Sequence, residues 1–288
     1  MSKLIAVFGV LGLSFSSIFV RFADADSIVL AFYRMFFACL LLAPLIWWKH
    51  KEEYKKTPAL SLGLSLISGI CFGMHLRCAF LAFEMTSIAA ATVLVNTEVF
   101  FVAIGGLFMG EDKIGILQWL GIGAAFLGSI VIAAGDAGGG GSLLLGDLAA
   151  LAGALFSTGY TLIGKSCRKH LTTTGYTGLV YLGAALTLAA AMGLTHTPFT
   201  GYAPHNYILA LGLTLICTFL GHSIFSWCLR YETASYVSLV KLLEPLFASL
   251  MAAILFREIP AYTTMAGGIL VIAGIAAYII LDRSIDKK

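Results

Sequence analysis

The sequence predicts an all-α polytopic membrane protein with ten transmembrane helices, arranged as two inverted five-helix repeats. Of its 288 residues, 59% are hydrophobic and only 11% are charged, whereas soluble domains carry roughly 25% charged residues. Ten apolar runs each come close to the ~20 residues that cross a bilayer core. The second half also repeats the first at a constant offset of 147 residues, which pairs His75 with His222 and Gly121 with Gly268. Two long apolar copies in one chain are typical of membrane transporters.

The ten predicted spans cover residues 4–22, 28–48, 59–83, 86–109, 114–134, 146–165, 172–193, 206–229, 234–256 and 261–281. Helices are preferred over strands because the runs are long and uninterrupted, and a lipid-exposed backbone must satisfy its hydrogen bonds within the segment. The first span also resembles a cleavable signal peptide, since Lys3 precedes it and Ala23-Asp24-Ala25 follows it. Its Phe15-Ser16-Ser17 nevertheless matches Phe156-Ser157-Thr158 of the sixth span. We therefore expect the first span to be retained as part of the repeat.

The basic residues predict the orientation of these spans. One set of alternate loops holds thirteen Lys and Arg residues, and the opposite set holds two, Arg21 and Arg257. By the positive-inside rule, both termini are expected in the cytoplasm, with the protein in a bacterial-type inner membrane. Because each repeat has an odd number of spans, the second copy enters the membrane inverted. We assign residues 1–137 to the first repeat, 138–145 to a glycine-rich periplasmic linker, and 146–288 to the second repeat.

Short motifs at matching places in both halves resemble the EamA-type branch of the drug/metabolite transporter superfamily. They are Phe32-Tyr33-Arg34, Thr86-Ser87-Ile88-Ala89, Gly110-Glu111, Leu220-Gly221-His222, Leu243-Glu244-Pro245 and Arg257-Glu258-Ile259-Pro260. The resemblance spans the whole chain and implies a carrier, often an exporter, with a central cavity between the repeats. The family commonly has proline at the position of Pro245 in both copies. This chain has Glu98 at the first of these positions.

Ionisable residues far from a helix end are the strongest site candidates, because a charge at the bilayer centre costs at least ~2.5–3.5 kcal/mol on insertion scales. Glu98 lies near the middle of the fourth span, and Lys241 and Glu244 lie near the middle of the ninth. Lys241 and Glu244 share a helix face and can neutralise each other as a structural pair. Alternatively, both line a substrate cavity. Pro245 weakens the helix beside them and predicts a hinge.

Glu98 and Glu244 are also the hypothesised sites of proton coupling. A glutamate buried in the membrane can be protonated near neutral pH and can then exchange its proton during transport. The alternative for Glu98 is an ion pair across helices, either with Lys241 or with Arg77, which is itself a predicted cavity residue.

Five further residues complete or extend the predicted cavity. Arg34 either snorkels to the interface or anchors an anion in the outer vestibule. For His75 and His222 the alternatives are a helix-to-helix hydrogen bond that holds the repeats together, and a proton relay or substrate contact. Asn96 and Trp227 are placed in the cavity lining with them.

Neither a metal, a cofactor nor an enzymatic activity is expected. Two histidines do not make a metal site, and the six cysteines are scattered within apolar segments, so we expect no disulfide framework. Residues 159–166 match the nucleotide-binding P-loop pattern letter for letter, but they lie at the end of an apolar helix, where the amides are committed to helical bonds. We also recognise no catalytic constellation.

We therefore expect a secondary active transporter that works by alternating access. Its substrates are expected to be small metabolites for export, either amino-acid-like or otherwise zwitterionic or weakly acidic solutes, or drugs. The expected partners are that small molecule and the lipid bilayer, without nucleic acid, and the protein is expected to be a monomer or a homodimer. The alternative is a flippase for lipids or lipid-linked metabolites, and the third hypothesis is an intramembrane enzyme.

Overall fold

The structure is a computed structural model that describes residues 2–85, 88–110, 114–135, 143–256 and 262–285. These residues are almost entirely helical, and no strand occurs among them. In the first half the helices are α1 (Ser2–Ser14), α2 (Ser16–Arg21), α3 (Ser27–Leu45), a π-helical turn (Ile46–His50), α4 (Lys51–Lys56), α5 (Ala59–Met85), α6 (Ile88–Asn96), α7 (Glu98–Phe108) and α8 (Ile116–Gly135). In the second half they are α9 (Leu143–Cys167), α10 (Thr173–Leu194), α11 (Pro204–Gly212), a π-helical segment (Leu213–His222), α12 (Ser223–Cys228), α13 (Ala234–Val240), a 3₁₀ turn (Lys241–Leu243), α14 (Glu244–Phe256) and α15 (Tyr262–Ile285).

Each predicted span corresponds to one helix or to consecutive helices in this order. Most boundaries differ by a few residues, and the largest difference is the end of the second span, where the helical chain continues to Lys56. Within the described residues, five stretches are long and apolar enough to cross a membrane, Ser2–Val20, Ser27–Lys56, Ala59–Met85, Thr173–Leu194 and Pro204–Cys228. Shorter apolar helices are Val93–Phe108, Ile116–Val131 and Met265–Leu281. The fold class, an all-α polytopic membrane protein, is confirmed, while the count of ten spans and the repeat boundaries stay predictions.

The fourth and ninth spans each contain a local 3₁₀-type turn at equivalent places in the repeat, which we call helix breaks, although the backbone stays helical through both. Thr97 separates α6 from α7, and its hydroxyl donates to the carbonyl of Leu94 at 2.6 Å. The 3₁₀ turn Lys241–Leu243 separates α13 from α14. At the 147-residue offset, Thr97 aligns with Glu244, the first residue of α14. Pro245 follows in the first turn of α14, where its missing N–H breaks no helical hydrogen bond.

Close backbone contacts hold α5 against α10. At Gly69 on α5, an added Cβ would lie 2.4 Å from the carbonyl oxygen of Val180 on α10 and 3.0 Å from the Cα of Gly183. Such small-residue contacts are how membrane helices approach each other, because lipid supplies no hydrophobic force between them. α5 also packs along α9, and α8 packs along α15. Helices of the two halves therefore alternate in the bundle.

We expect Gly69→Ala to lower the melting temperature of the purified protein by several degrees. The added methyl group collides with backbone rather than with a flexible side chain, and overpacking of this kind costs about 1–3 kcal/mol. The matched control is Gly63→Ala on the same helix, where an added Cβ meets nothing within 4 Å. Equal melting temperatures for the two variants would contradict the packing described above.

Candidate functional site

A buried ion pair connects the two spans that contain the helix breaks. The Nζ of Lys241 donates to the Oε1 of Glu98 at 2.6 Å, and the two side chains are 8% and 5% exposed. Glu98 is the first residue of α7, and Lys241 begins the 3₁₀ turn before α14. Of the pairings that the sequence left open, the structure has the one between Glu98 and Lys241 across helices, and the alternative pair between Lys241 and Glu244 is corrected. Lys241 reaches Glu98 because α13, which directly precedes the 3₁₀ turn, packs against α7.

The surroundings of this pair reduce the cost of burying its charges. The ammonium group of Lys241 directly compensates the carboxylate of Glu98. Lys241 also lies 5.7 Å from the centre of the Phe225 ring, which is within the range of a cation–π contact. A buried pair is still weak as a source of stability, since desolvation offsets much of the attraction. Its position at two helix breaks therefore favours a functional role.

Glu244 lies beside the pair but does not join it. Among the described residues, its carboxylate has neither a hydrogen bond nor a salt bridge. Glu98, Lys241 and Arg34 are nevertheless close enough to Glu244 for their charges to act on it. Glu244 is thus the acidic group of this region that is left without a direct basic partner.

Arg34 is enclosed in the bundle. It is 1% exposed, and its Nε donates to the hydroxyl of Thr218 at 2.7 Å. Thr214, one turn away, donates its hydroxyl to the backbone carbonyl of Arg34 at 2.8 Å. Both threonines belong to the π-helical segment Leu213–His222, and π-helical turns are frequent at functional sites. The snorkelling alternative for Arg34 is wrong, because a snorkelling guanidinium would be exposed, and the anion-anchor alternative stays a prediction.

The two repeat-related histidines have different environments. The Nδ1 of His75 lies 3.0 Å from the carbonyl of Gly153 and must donate to it, which joins α5 to α9 across the two halves. This is the predicted helix-to-helix hydrogen bond. The Nδ1 of His222 is buried and has no partner among the described residues. The ring of Phe72 separates the two histidines and lies 4.6 Å from the ring of His222.

Six of the predicted cavity residues form one electrostatic cluster. Their charges are close enough to act on one another, and the cluster consists of Arg34, His75, Glu98, His222, Lys241 and Glu244. We call this set the central charge cluster. It draws residues from α3, α5, α7, α14, the π-helical segment and the 3₁₀ turn. Both halves of the chain therefore contribute to one site.

Three predicted residues lie beside this cluster or away from it. Asn96 is the last residue of α6, directly before the break at Thr97, and its buried Nδ2 has no partner in the part of the chain that the structure describes. Trp227 packs against Tyr231 at the end of α12, with ring centres 4.7 Å apart. Arg77 is half-buried on α5 and forms no salt bridge with Glu98, whose described partner is Lys241.

Several polar residues near the cluster were not predicted. Tyr160 shares a hydrogen bond of 2.9 Å with Ser226, and Tyr181 shares one of 2.7 Å with Ser223. Hydroxyls of this kind have no signature in an apolar helix, so only packing identifies them. Arg168, counted in the sequence as a loop residue, is also buried and donates to the carbonyl of Ser226 at 2.9 Å. Burial and the nearby positive charge of Arg230 lower the pKa of Arg168 to about 10.

The candidate metal ligands, the cysteines and the P-loop match also lie among the described residues. Within the described ranges, no group of three or more His, Cys, Asp or Glu side chains is placed to hold a metal ion. All six cysteines lie in these ranges, and none forms a disulfide. Residues 159–166, the P-loop match, lie inside α9, so their amides belong to a helix. The predicted linker residues 138–142, together with Glu111 and Glu258, lie outside the described residues.

Comparisons with known proteins agree on the kind of protein. The sequence model of the EamA-like transporter family matches residues 2–134 and again 144–280. An uncharacterized transporter of Archaeoglobus fulgidus is 27% identical over 91% of this chain and 91% of its own. A probable amino-acid metabolite efflux pump of Salmonella typhimurium is 27% identical over 92% of this chain and 89% of its own. The pseudopaline exporter CntI of Pseudomonas aeruginosa is 24% identical over 74% of this chain and 73% of its own.

One solved crystal structure has the same fold. It covers 99% of this chain and 98% of its own, with a TM-score of 0.80 and 15% sequence identity. An identity this low shows the fold alone.

Proposed function

This chain belongs to the EamA-like transporter family, and from that premise we propose that it exports small amino-acid-like metabolites as a secondary active transporter working by alternating access. Its family and its relatives are transporters rather than enzymes. What is proposed is the substrate class, the direction and the mechanism. The membrane is proposed to be the bacterial-type inner membrane, with both termini cytoplasmic.

The observation that carries this proposal is the buried Glu98–Lys241 pair at the two helix breaks. In transporters built from inverted repeats, substrate and coupling-ion sites lie near the bilayer midplane at interrupted helices. Here the breaks occupy equivalent places in the two halves, and an ion pair of 2.6 Å joins them. A charged pair that spans two hinges can separate when the halves move, and its members can then exchange partners.

The charges of the central charge cluster favour a zwitterionic substrate. Arg34 and Lys241 supply positive charge, and Glu98 and Glu244 supply negative charge. Since Glu98 and Lys241 neutralise each other, Arg34 and Glu244 remain as one basic and one acidic group. A solute with one carboxylate and one ammonium group complements them. The name of one relative, a probable amino-acid metabolite efflux pump, supports the same class.

Contacts at both ends of the bundle supply the gates that alternating access requires. At the end where the chain begins, Lys165 donates to the carbonyl of Glu232 at 2.7 Å and Tyr236 donates to that of Lys3 at 3.0 Å. At the other end, the Nε2 of His205 lies 2.8 Å from the Oδ2 of Asp24 on the surface of the bundle, a contact that is a salt bridge when His205 is protonated. We propose that each set opens while the other stays closed.

Transport by the purified protein in proteoliposomes tests this function. We expect some of the twenty proteinogenic amino acids to cross by exchange in vesicles with the wild-type protein, and not in protein-free vesicles. An imposed pH gradient is expected to drive net movement. Movement of labelled phospholipids without movement of any amino acid or other small solute would contradict the proposal and would favour the flippase alternative.

A further inference from the structure

A guanidinium with incomplete hydrogen bonding lies between α3 and the π-helical segment. The Nε of Arg34 donates to Thr218, but its Nη2 is enclosed and has no hydrogen-bond partner among the described residues. Nor does any carboxylate of the described residues form a salt bridge with Arg34. Buried polar groups in native proteins are nearly always hydrogen-bonded, so an enclosed cationic donor without an acceptor needs an explanation.

A second unsatisfied group lies in the same part of the bundle. His222 is one turn beyond Thr218 on the π-helical segment, and its buried Nδ1 has no partner within the described ranges. Arg34 is close enough to His222 for its charge to act on the ring. Two unsatisfied groups from different helices, on either side of Thr218, indicate a place built to meet a ligand's polar atoms.

The chemistry of the first group selects the ligand. A guanidinium presents its N–H donors in a planar fork. In Arg34 the Nε of this fork donates to Thr218, so Nη2 is the enclosed donor left for a ligand, and a charge-assisted hydrogen bond from a guanidinium to a carboxylate is among the strong ones in proteins. Glu244 supplies the opposite charge and is close enough to Arg34 for the two charges to act on each other. The ligand that matches both groups is an α-amino acid in its zwitterionic form.

Resting on the proposed function, we infer that Arg34 is the carboxylate-binding residue of the transport site. Thr218 holds the guanidinium through Nε, Nη2 donates to the substrate carboxylate, and Glu244 receives the substrate ammonium group. The same compounds with the carboxylate converted to an amide or a methyl ester have lost the negative charge and bind poorly. The substrate class is thus defined by a free carboxylate next to an amine.

Binding to the purified full-length protein tests the inference. The probes are the twenty proteinogenic amino acids in a thermal-shift screen, followed for each stabilising compound by calorimetry with its matched amide and methyl ester. We expect Arg34→Gln to weaken amino-acid binding by about tenfold or more and to abolish the preference for acid over amide. Arg34→Lys keeps the charge without the fork and is expected to retain part of both. The matched control is Thr214→Val, which removes a contact to the backbone of Arg34 and leaves the guanidinium bonded to Thr218.

The possible outcomes separate this inference from the proposed function. Wild-type binding of amides as tight as that of acids would overturn the inference, and so would unchanged binding by Arg34→Gln. A wild-type protein that carries other small solutes but binds no amino acid would overturn it as well. Each of these three results leaves the proposal that the protein transports small solutes in place. Passage of labelled lipids alone would instead overturn the proposed function. If Arg34→Gln fails to fold, the acid–amide comparison on the wild-type protein and the Arg34→Lys variant still decide.

Discussion

Replacing Lys241 with methionine is expected to lower the melting temperature by roughly 10 °C and to abolish transport. The variant leaves the carboxylate of Glu98 buried at 5% exposure without the ammonium group that lies 2.6 Å away in the wild-type protein. Breaking a buried pair by removing one partner costs about 3–5 kcal/mol, since an uncompensated charge remains. Thermal unfolding in detergent measures the first effect, and amino-acid exchange in proteoliposomes measures the second.

A double variant distinguishes the pair from the size of the side chain. Glu98→Gln combined with Lys241→Met removes both charges, and we expect it to recover much of the lost stability while transport stays absent. The control is Lys55→Met, which breaks a surface pair of 2.7 Å with Glu52 whose side chains are 60% and 66% exposed. That change is expected to shift stability by no more than about 1 kcal/mol. If the double variant were no more stable than Lys241→Met alone, the stabilising role of the ion pair would be refuted.

Replacing Glu244 with glutamine is expected to remove the dependence of transport on a pH gradient. Glu98 is held by Lys241, whereas Glu244 has no direct basic partner among the described residues and is free to exchange a proton. A glutamine cannot be ionised, so residue 244 of the variant is always neutral, whereas the glutamate of the wild-type protein can be neutral or charged. The assay compares gradient-driven amino-acid movement with exchange at equal pH on both sides.

The expected pattern for Glu244→Gln is selective. Gradient-driven transport falls to the level seen without a gradient, while some exchange at equal pH persists, although binding is weaker without the acidic group. Glu52→Gln is the matched control, because it neutralises a glutamate that is largely exposed and far along the chain. Unchanged pH dependence in Glu244→Gln would exclude Glu244 as the proton site. Unchanged pH dependence in Glu98→Gln would likewise exclude Glu98, the other candidate for the proton site.

The residues of the central charge cluster can be chosen from the sequence, but the sequence leaves their pairing open between Glu244 and Glu98 as the partner of Lys241. Charges in the middle of apolar runs stand out against their surroundings, which is why Glu98, Lys241 and Glu244 were selected. Spacing along one helix favoured a pair between Lys241 and Glu244. The structure joins Lys241 to Glu98, because α13 of the second half, which directly precedes the 3₁₀ turn of Lys241, packs against α7 of the first half.

The 147-residue offset identifies residues at equivalent places in the two halves, but it does not predict which neighbours those residues contact. His75 and His222 occupy equivalent places, yet His75 donates to a carbonyl of α9 while the Nδ1 of His222 has no described partner. The reason is that equivalent helices of two diverged repeats meet different neighbours. Arg34 shows the same limit. Its place in the second span allows its side chain to snorkel to the interface, whereas in the structure the π-helical segment encloses that side chain.

The sequence by itself determined that this protein lies in a lipid bilayer and that its secondary structure is helical. Long apolar runs must lie in lipid, and in lipid each backbone must bond within its own segment, so run length predicts helices and places their ends to within a few residues in most cases. Only the tertiary structure decided which charges meet, that α6–α7 and α13–α14 have helix breaks at equivalent places, and that Arg34 is left with an unsatisfied donor. Those outcomes depend on how helices approach and rotate against each other, and that is set by side-chain packing between segments far apart in the chain.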